Sequence, residues 1–209
     1  MEAARIRELL KPFLGAEQLS DDQAALVSTY LDLLLKWNAK INLTAVRDPD
    51  QIIQRHFGES FFAARHLSGW CPDATSLADM GSGAGFPGLP IKLWNPMLNL
   101  SLIESQQKKA VFLREAIRTL GLIAAQVVDA RAEAVHMTAD VVTLRAVEAF
   151  EQALPVAANL LNERGSLILL IGAAQTERAV SLLPNLSWFM PQPLPLSDNR
   201  VILCGARKP

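Results

Sequence analysis

The stretch Leu77-Ala78-Asp79-Met80-Gly81-Ser82-Gly83-Ala84-Gly85-Phe86-Pro87-Gly88 places four glycines within eight residues. Its start reads as a strand, its end as the beginning of a helix, and the glycines lie in the turn between. Without Cβ atoms the backbone there can turn sharply and come close to a ligand. In an open α/β sheet such a turn sits at the carboxyl ends of the strands, the place where ligands bind. Residues 83–88 fit the dinucleotide fingerprint G-x-G-x-x-G, which alone is a weak signal. Pro87 points to a different ligand. It removes a backbone N–H near the helix start, where a pyrophosphate would need donors.

Asp79, two residues before Gly81, extends the loop to D-x-G-x-G-x-G, a pattern similar to that of S-adenosylmethionine-dependent methyltransferases. Glu104 directly follows the second candidate strand, where a carboxylate accepts both hydroxyls of a ribose. Nicotinamide and adenosyl cofactors share that requirement. Ser105 and Gln106, next in the chain, are assigned to the same cofactor edge. Asp129-Ala130-Arg131-Ala132-Glu133 follows the third strand and is expected to flank an adenine through the backbone of Ala132 and Glu133. After the fourth strand stands Thr143-Leu144-Arg145-Ala146. The Asp/Asn-Pro-Pro-Tyr/Phe motif of enzymes that methylate exocyclic amines is absent. No cysteine stands beside this loop for covalent attack on a pyrimidine. A lone-pair acceptor such as guanine N7 is consistent with those absences, because no proton leaves before attack. Arg145 is then a positioning group rather than a base, since a guanidinium stays protonated and presents donors in a planar fork. Its structural alternative is an ion pair with Glu148 or Asp140. No Ser-His-Asp arrangement appears, and His56, His66 and His136 are not spaced as ligands, so no metal is expected.

The elements that must hold these residues fall into two textures. Residues 1 to about 70 read as helices. Ile6, Leu9, Leu10, Phe13 and Leu14 recur at helical spacing, as do Val27, Tyr30, Leu31, Leu34 and Trp37. Ser20-Asp21-Asp22-Gln23 is a capping-box pattern, and Asp48-Pro49 starts a third helix with proline at its first position. Ile53, Phe57 and Phe61 mark the buried face that follows. From about residue 75, short apolar runs alternate with helical patterns. Residues 76–80, 98–103, 125–128, 141–144 and 167–171 read as strands, and residues 91–94, 108–120 and 150–161 as helices. Alternation of this kind implies βαβ units and a parallel sheet covered on both faces. Residues 186–190 and 201–205 are strands without room for a helix between them, so the sheet should end in an antiparallel hairpin.

The 209 residues carry a formal net charge of −1, with 50% hydrophobic and 20% charged. That composition supports a sizeable core and excludes global disorder. The near-neutral balance argues against a histone-like nucleic-acid binder but permits a local basic face. Lys108, Lys109, Arg114 and Arg118 share one helix with Glu115. Lys36, Lys40, Arg47, Arg55 and Arg65 lie in the helical part against Asp48, Asp50 and Glu59. A modest basic rim for RNA phosphates follows, with Arg55, His56, Lys108 and Lys109 as candidates; the alternative is ordinary solvated helix faces. Cys71 and Cys204 form no C-x-x-C pair, so neither a disulfide framework nor a zinc ribbon is expected. The first residues show no basic segment followed by a long apolar run, and no stretch nears the ~20 residues of a membrane span. A soluble, cytoplasmic protein is expected.

Taken together, several segments resemble the RsmG (GidB) family of bacterial 16S ribosomal RNA guanine-N7 methyltransferases. They are Trp37-Asn38 with Ile41-Asn42-Leu43-Thr44-Ala45, Asp48-Pro49, Arg55-His56 with Ser60, and the glycine loop through Leu89-Pro90. Glu104-Ser105 with Lys108-Lys109, Phe112-Leu113, Arg131-Ala132-Glu133 and Arg145-Ala146 complete the set. The resemblance covers about residues 20–170. It implies a class I S-adenosyl-L-methionine-dependent methyltransferase fold, Rossmann-like, with a seven-stranded mostly parallel sheet in residues 71–209 and a helical region in residues 1–70. It implies cofactor contacts at Gly81, Phe86, Glu104, Ala132, Glu133 and Arg145, with Asp79, Gly83 and Gly85 in the same loop. It further implies a guanine substrate in the decoding region of the small ribosomal subunit. The chain departs from the family at Glu59, commonly Asp, at Leu144, commonly Ser, at Ile171, commonly Lys, and at Val201, where a histidine often follows the arginine. Two rival functions remain at this level: a NAD-dependent oxidoreductase using the same crevice, and a non-catalytic RNA-binding assembly factor.

Overall fold

The computed structural model describes residues 1–146 and 149–208. Helix α1 (Ala3–Leu14) buries Ile6, Leu9, Leu10, Phe13 and Leu14 along one stripe. Helix α2 (Asp21–Asn38) begins in the expected capping box. The Ser20 hydroxyl accepts from the Gln23 N–H at 3.1 Å, and the Gln23 side chain accepts from the Ser20 N–H at 3.0 Å. The pair satisfies donors that a helix start otherwise leaves without partners. Asp48 caps α3 (Pro49–Ile52), with Pro49 in its first turn. The chain then continues through a π-helical segment, Ile53–Gly58, into α4 (Glu59–Trp70). Such π segments are rare and recur at functional sites; this one carries Arg55 and His56.

The remainder runs β1 (Ser76–Met80), α5 (Gly88–Trp94), β2 (Asn99–Ile103), α6 (Gln107–Thr119), β3 (Ala125–Val128), a 3-10 turn Ala132–Ala134, and β4 (Ala139–Arg145). After it come α7 (Phe150–Asn159), β5 (Leu161–Gly172), α8 (Thr176–Leu182), β6 (Leu186–Trp188), β7 (Gln192–Pro193) and β8 (Arg200–Arg207). The strand order is β3-β2-β1-β4-β5-β8-β6, with the first five parallel and β8 antiparallel to β5 and β6. This is the expected mostly parallel sheet with its antiparallel end. The two-residue β7, paired with β8, adds to the expected seven strands. The chain leaves β1 toward β2 and β3, then returns to place β4 on the other side. The reversal opens a crevice over the carboxyl ends of β1 and β4.

Successive strand residues face opposite layers, as pleating requires. Leu77, Leu100 and Ile168 join the core shared with α1–α6, whereas Ala78, Ile103 and Val142 join the core under α7 and α8. At the amino ends, Asp140 accepts from the backbone N–H groups of Thr75 at 2.8 Å and Ser76 at 3.0 Å, tying β4 to β1 far from the crevice. Besides β7, two elements differ from the pattern-based expectation. Strand β5 starts at Leu161, not near 167, because Ala139 pairs with Leu161 before the register shifts to Val141 with Ser166. Helix α8 was not expected, and it buries only Ala179, so its sequence shows no apolar stripe. Cys71 and Cys204, distant in sequence, come into thiol contact beside Ser166, and both are free. Among the described residues no helix is long and apolar enough to cross a membrane.

Candidate functional site

Two recesses flank the carboxyl ends of β1 and β4. The first is a cleft of about 440 Å³ whose lining includes Gly81, Glu104, Ser105, Ala132 and Glu133. That volume lies in the usual range for small-molecule sites. The chain turns at its floor because the N–H groups of Gly81 and Ser82 both donate to the Ile103 carbonyl, at 2.9 and 3.0 Å. Gly81 and Gly83 adopt φ values of +70° and +55°, a region that glycine enters without steric cost. A Cβ on Gly81 would meet nothing within 4 Å, so the space above it is open to a ligand. Glu104 is buried, with Oε2 accepting from the Gly83 N–H at 2.9 Å and Oε1 from the Gln106 N–H at 2.7 Å. A carboxylate has about four acceptor sites, so each oxygen keeps capacity for a ligand hydroxyl. Glu104 therefore clasps the glycine loop to the start of α6 while lining the cleft. Gln106 contributes its backbone N–H to that clasp, and Ser105 is exposed on the cleft wall.

Asp79, Gly85 and Phe86, assigned to the cofactor on sequence grounds, are placed differently. They support the loop and lie outside the cleft lining, as does Gly83, which is tied to the cleft through its N–H on Glu104. Asp79 is fully buried; its Oδ1 accepts from the Thr143 hydroxyl at 2.7 Å and its Oδ2 from the Gly88 N–H at 3.2 Å. Burial pushes its carboxyl up to about 6, against those hydrogen bonds. A Cβ on Gly85 would come within 2.5 Å of the Tyr30 hydroxyl. The Phe86 ring stacks on Tyr30 at 5.3 Å and meets Phe57 edge-on at 5.1 Å. Tyr30 also donates to the Ala84 carbonyl, so α2 braces the loop directly.

The second recess, about 390 Å³, is lined by Thr44, Arg55, His56, Arg145, Gln175 and Arg200 among others. Asn38, buried at the end of α2, folds the Asn42-Leu43-Thr44 segment. Its Oδ1 accepts from the N–H groups of Leu43 and Thr44 at 2.9 and 3.0 Å, and its Nδ2 donates to the Thr44 carbonyl at 3.0 Å. The Thr44 hydroxyl thereby reaches His56 Nε2 at 2.7 Å, while Arg145 approaches His56 Nδ1 at 3.0 Å. A guanidinium has only donors, so Nδ1 accepts and the proton sits on Nε2, donated to Thr44. Burial, then the charges of Arg145, Arg55 and Arg200, push the imidazole down to about 3. His56 is therefore neutral at neutral pH. As a neutral group it adds no positive charge to the expected basic rim.

Arg145 is also placed differently from the expectation. It lines this recess, not the cleft of Glu104. It donates to the Arg55 carbonyl at 2.8 Å and to Glu59 at 3.1 Å. Asp140 is engaged at the opposite end of the sheet, and Glu148 lies outside the described residues. Glu59 is thus the partner, and it also binds Arg200 at 2.5 Å. Burial lowers the Arg145 guanidinium, and Glu59 opposes that shift. Lys108 is exposed and Lys109 half-buried in the first turn of α6, and both line neither recess. Leu144 and Ile171, two of the positions that depart from the family, line the arginine recess. Sequence reasoning missed Glu59, Arg200 and Gln175 as site residues, because they share no local motif with Arg145. A larger recess of about 600 Å³, lined by Trp70, Cys71, Asp140 and Arg164, lies at the amino ends of the strands. Volume does not select it, because open α/β sheets bind ligands at the other end.

The family described as GidB, rRNA small subunit methyltransferase G, matches residues 23–186. The chain is 41% identical over 171 residues to the ribosomal RNA small subunit methyltransferase G of Xanthomonas campestris pv. campestris (strain B100), covering 81% of this chain and 78% of that protein. The chain belongs to the rRNA small subunit methyltransferase G family. Solved structures extend the likeness at the level of fold. A SAM-dependent methyltransferase from Aquifex aeolicus superposes with a TM-score of 0.62 at 12% identity, covering 85% of this chain and 98% of that one. A ribosomal protein L11 methylase from Lactobacillus delbrueckii subsp. bulgaricus gives 0.62 at 15% identity, covering 75% and 80%. The fold of this family member is that of the class I methyltransferases.

The residues of the cleft fit an adenosyl cofactor. Gly81 leaves open space, Glu104 offers free acceptor capacity at the end of β2, and Pro87 removes a donor just before α5. A ligand with ribose hydroxyls and no phosphate suits that set. Among the described residues no group of three or more His, Cys, Asp or Glu gathers as metal ligands.

Proposed function

We propose that this member of the family transfers a methyl group from S-adenosyl-L-methionine to N7 of a guanine in 16S ribosomal RNA, acting in the cytoplasm on the small subunit or an assembly intermediate of it. The supporting observation is adjacency. Met80 and Leu144 are register partners in β1 and β4. Met80 opens onto the cleft of Glu104 and Leu144 onto the arginine recess, so a donor and an acceptor can meet across one pair of strand ends.

Bound S-adenosyl-L-methionine supplies a methyl group made electrophilic by a positively charged sulfur. Glu104 accepts the ribose hydroxyls through the lone pairs left by Gly83 and Gln106. Gly81 leaves room for the ligand, the Gly83 N–H holds Glu104 in place, and the backbone at Ala132 and Glu133 flanks the adenine. Arg145 orients the guanine with its planar donors. It stays protonated, and no base is needed because N7 attacks through a lone pair. Catalysis then rests on alignment, which can supply ~7–11 kcal/mol. On this reading residues 1–70 form a helical wall of the acceptor recess and residues 71–209 the methyltransferase domain.

Calorimetry and radiolabel transfer test the reading together. S-adenosylhomocysteine should bind, NAD should not, and label should enter small-subunit RNA. Binding of NAD instead would favour an oxidoreductase. RNA binding without incorporation would favour an assembly factor.

A further inference from the structure

Glu59 opens α4, and its side chain is only 4% exposed. Its two carboxylate oxygens serve different strands. Oε2 receives Arg145 of β4 at 3.1 Å, and Oε1 receives Arg200 of β8 at 2.5 Å. Arg55, on the π-helical turn before it, lines the same recess. With His56 neutral, Glu59 is the one acid among the described lining and bridging groups facing three guanidiniums. The recess therefore carries excess positive charge, and like charges this close separate unless a shared anion holds them.

The two arginines are fixed to different degrees. Arg145 has three further restraints besides Glu59's charge: the Arg55 carbonyl, His56 and its own burial, with 9% of the side chain exposed. Its Nε has no hydrogen-bond partner among the described residues. The Arg200 side chain has one partner among them, Glu59, and is 19% exposed. Most of its donors are unclaimed, at a recess open to solvent. Guanidinium forks match phosphate oxygens bidentately, and two forks held on one carboxylate present a preset spacing. An ion pair kept for stability alone gains little over apolar packing, which leaves its placement beside a cleft to be explained by what it holds in position.

We propose that Glu59 is a positioning residue: by holding Arg145 and Arg200 on one carboxylate, it sets the spacing of two guanidiniums that receive the phosphate and base edge of the acceptor guanosine nucleotide. The inference deepens the proposed function and rests on it for the identity of the acceptor. Glu59 touches neither substrate nor cofactor; it acts through the arginines.

The test uses the full chain with Glu59→Gln, Arg200→Ala and the double variant, each assayed well below its melting temperature. Guanosine 5′-monophosphate is the probe, titrated with S-adenosylhomocysteine saturating, beside kcat and KM for small subunits. Each single variant should weaken the nucleotide by about tenfold or more, as loss of a charge-assisted hydrogen bond implies, and raise KM similarly. Affinity for S-adenosylhomocysteine should stay within about twofold, because Glu59 is outside that cleft. The double variant should be no worse than the weaker single, since both act through one pair. A merely structural Glu59 would lower the melting temperature and leave KM untouched. Wild-type nucleotide affinity and KM in folded Glu59→Gln overturn the proposal, as they do in Arg200→Ala should Glu59→Gln not fold. If nucleotide binding depends on Glu59 as expected but the wild type methylates no RNA, the functional reading falls and the positioning role stands. If the wild type methylates and Arg200→Ala matches it, the reverse holds.

Discussion

The cleft of Glu104 takes its lining from the ends of consecutive strands, with Gly81 after β1, Glu104 after β2, and Ala132 and Glu133 after β3. The arginine recess gathers Thr44 from a loop, His56 from the π segment, Arg145 from β4 and Arg200 from β8, with Glu59 of α4 joining the last two. One is made of backbone conformation and one buried carboxylate, Glu104. The other is a net of side-chain charges spanning 141 residues between Glu59 and Arg200. Each can therefore be broken in its own way. Substitutions that deny a backbone conformation should empty the cleft and spare the recess, and substitutions that remove a charge from the recess should do the opposite.

The largest effect is expected at Gly83. Its φ of +55° is a genuine outlier for a β-branched residue, and its N–H is held by Glu104. Gly83→Val should reduce S-adenosylhomocysteine binding below detection in calorimetry, while circular dichroism shows the helices folded and guanosine monophosphate still binds the recess. Arg145→Ala comes next and reverses the pattern. Methyl transfer in single turnover should fall at least ~100-fold, the scale on which small misplacement costs rate, with cofactor affinity unchanged. Arg145→Lys should rescue little, because a point charge does not replace a planar fork. Near-normal turnover in Arg145→Ala would remove Arg145 from the site. Glu104→Ala should weaken S-adenosylhomocysteine by about one to two orders of magnitude, in line with ~1.5–3 kcal/mol for hydrogen bonds to a charged group. Unchanged binding would sink the ribose assignment.

The smallest effect separates the two regions by pH. Asp79, under the glycine loop, titrates near 6 when folded, above its ordinary 3.8. The folded state therefore keeps its proton longer, and that stabilisation, full below 3.8, is lost as pH rises through 6. His56 behaves oppositely: near 3 when folded against 6.5 ordinarily, it stabilises above 6.5 and loses that contribution as pH falls toward 3. Urea unfolding should show Asp79→Asn gaining about 2–3 kcal/mol relative to wild type between pH 4 and 7. His56 should remain a neutral Nε2–H tautomer in nitrogen-shift spectra at pH 5. An imidazole titrating near 6.5 would contradict its place in the Thr44–Arg145 chain.

How much of this was legible follows the same division. Ser20, Pro49 and the glycine loop could be read because capping and turn chemistry are local, and the loop's partner Glu104 because it ends the adjacent strand. The polar start of β5, Asn162-Glu163-Arg164, carries no strand alternation, since pairing across a register shift holds it. The charge of His56 is not legible in the sequence, because it cannot be assigned before its neighbours are known: burial and Arg145 keep this imidazole neutral. Phe86 and Asp79 read as cleft residues in the sequence because the loop's spacing does not say which side of it faces the ligand. Glu59 gave no signal beyond its departure from the family's common Asp, because its partners lie on β4 and β8.

On the proposed mechanism the two recesses form one reaction site for a guanine lone pair. Incubating the wild type with methyl-labelled S-adenosylmethionine and unmethylated small ribosomal subunits, then mapping the modified atom, tests it most directly. Label is expected at N7 of a single guanine in 16S RNA. Label on an exocyclic amine or a ring carbon, or none at all with both cofactor and RNA bound, would contradict it.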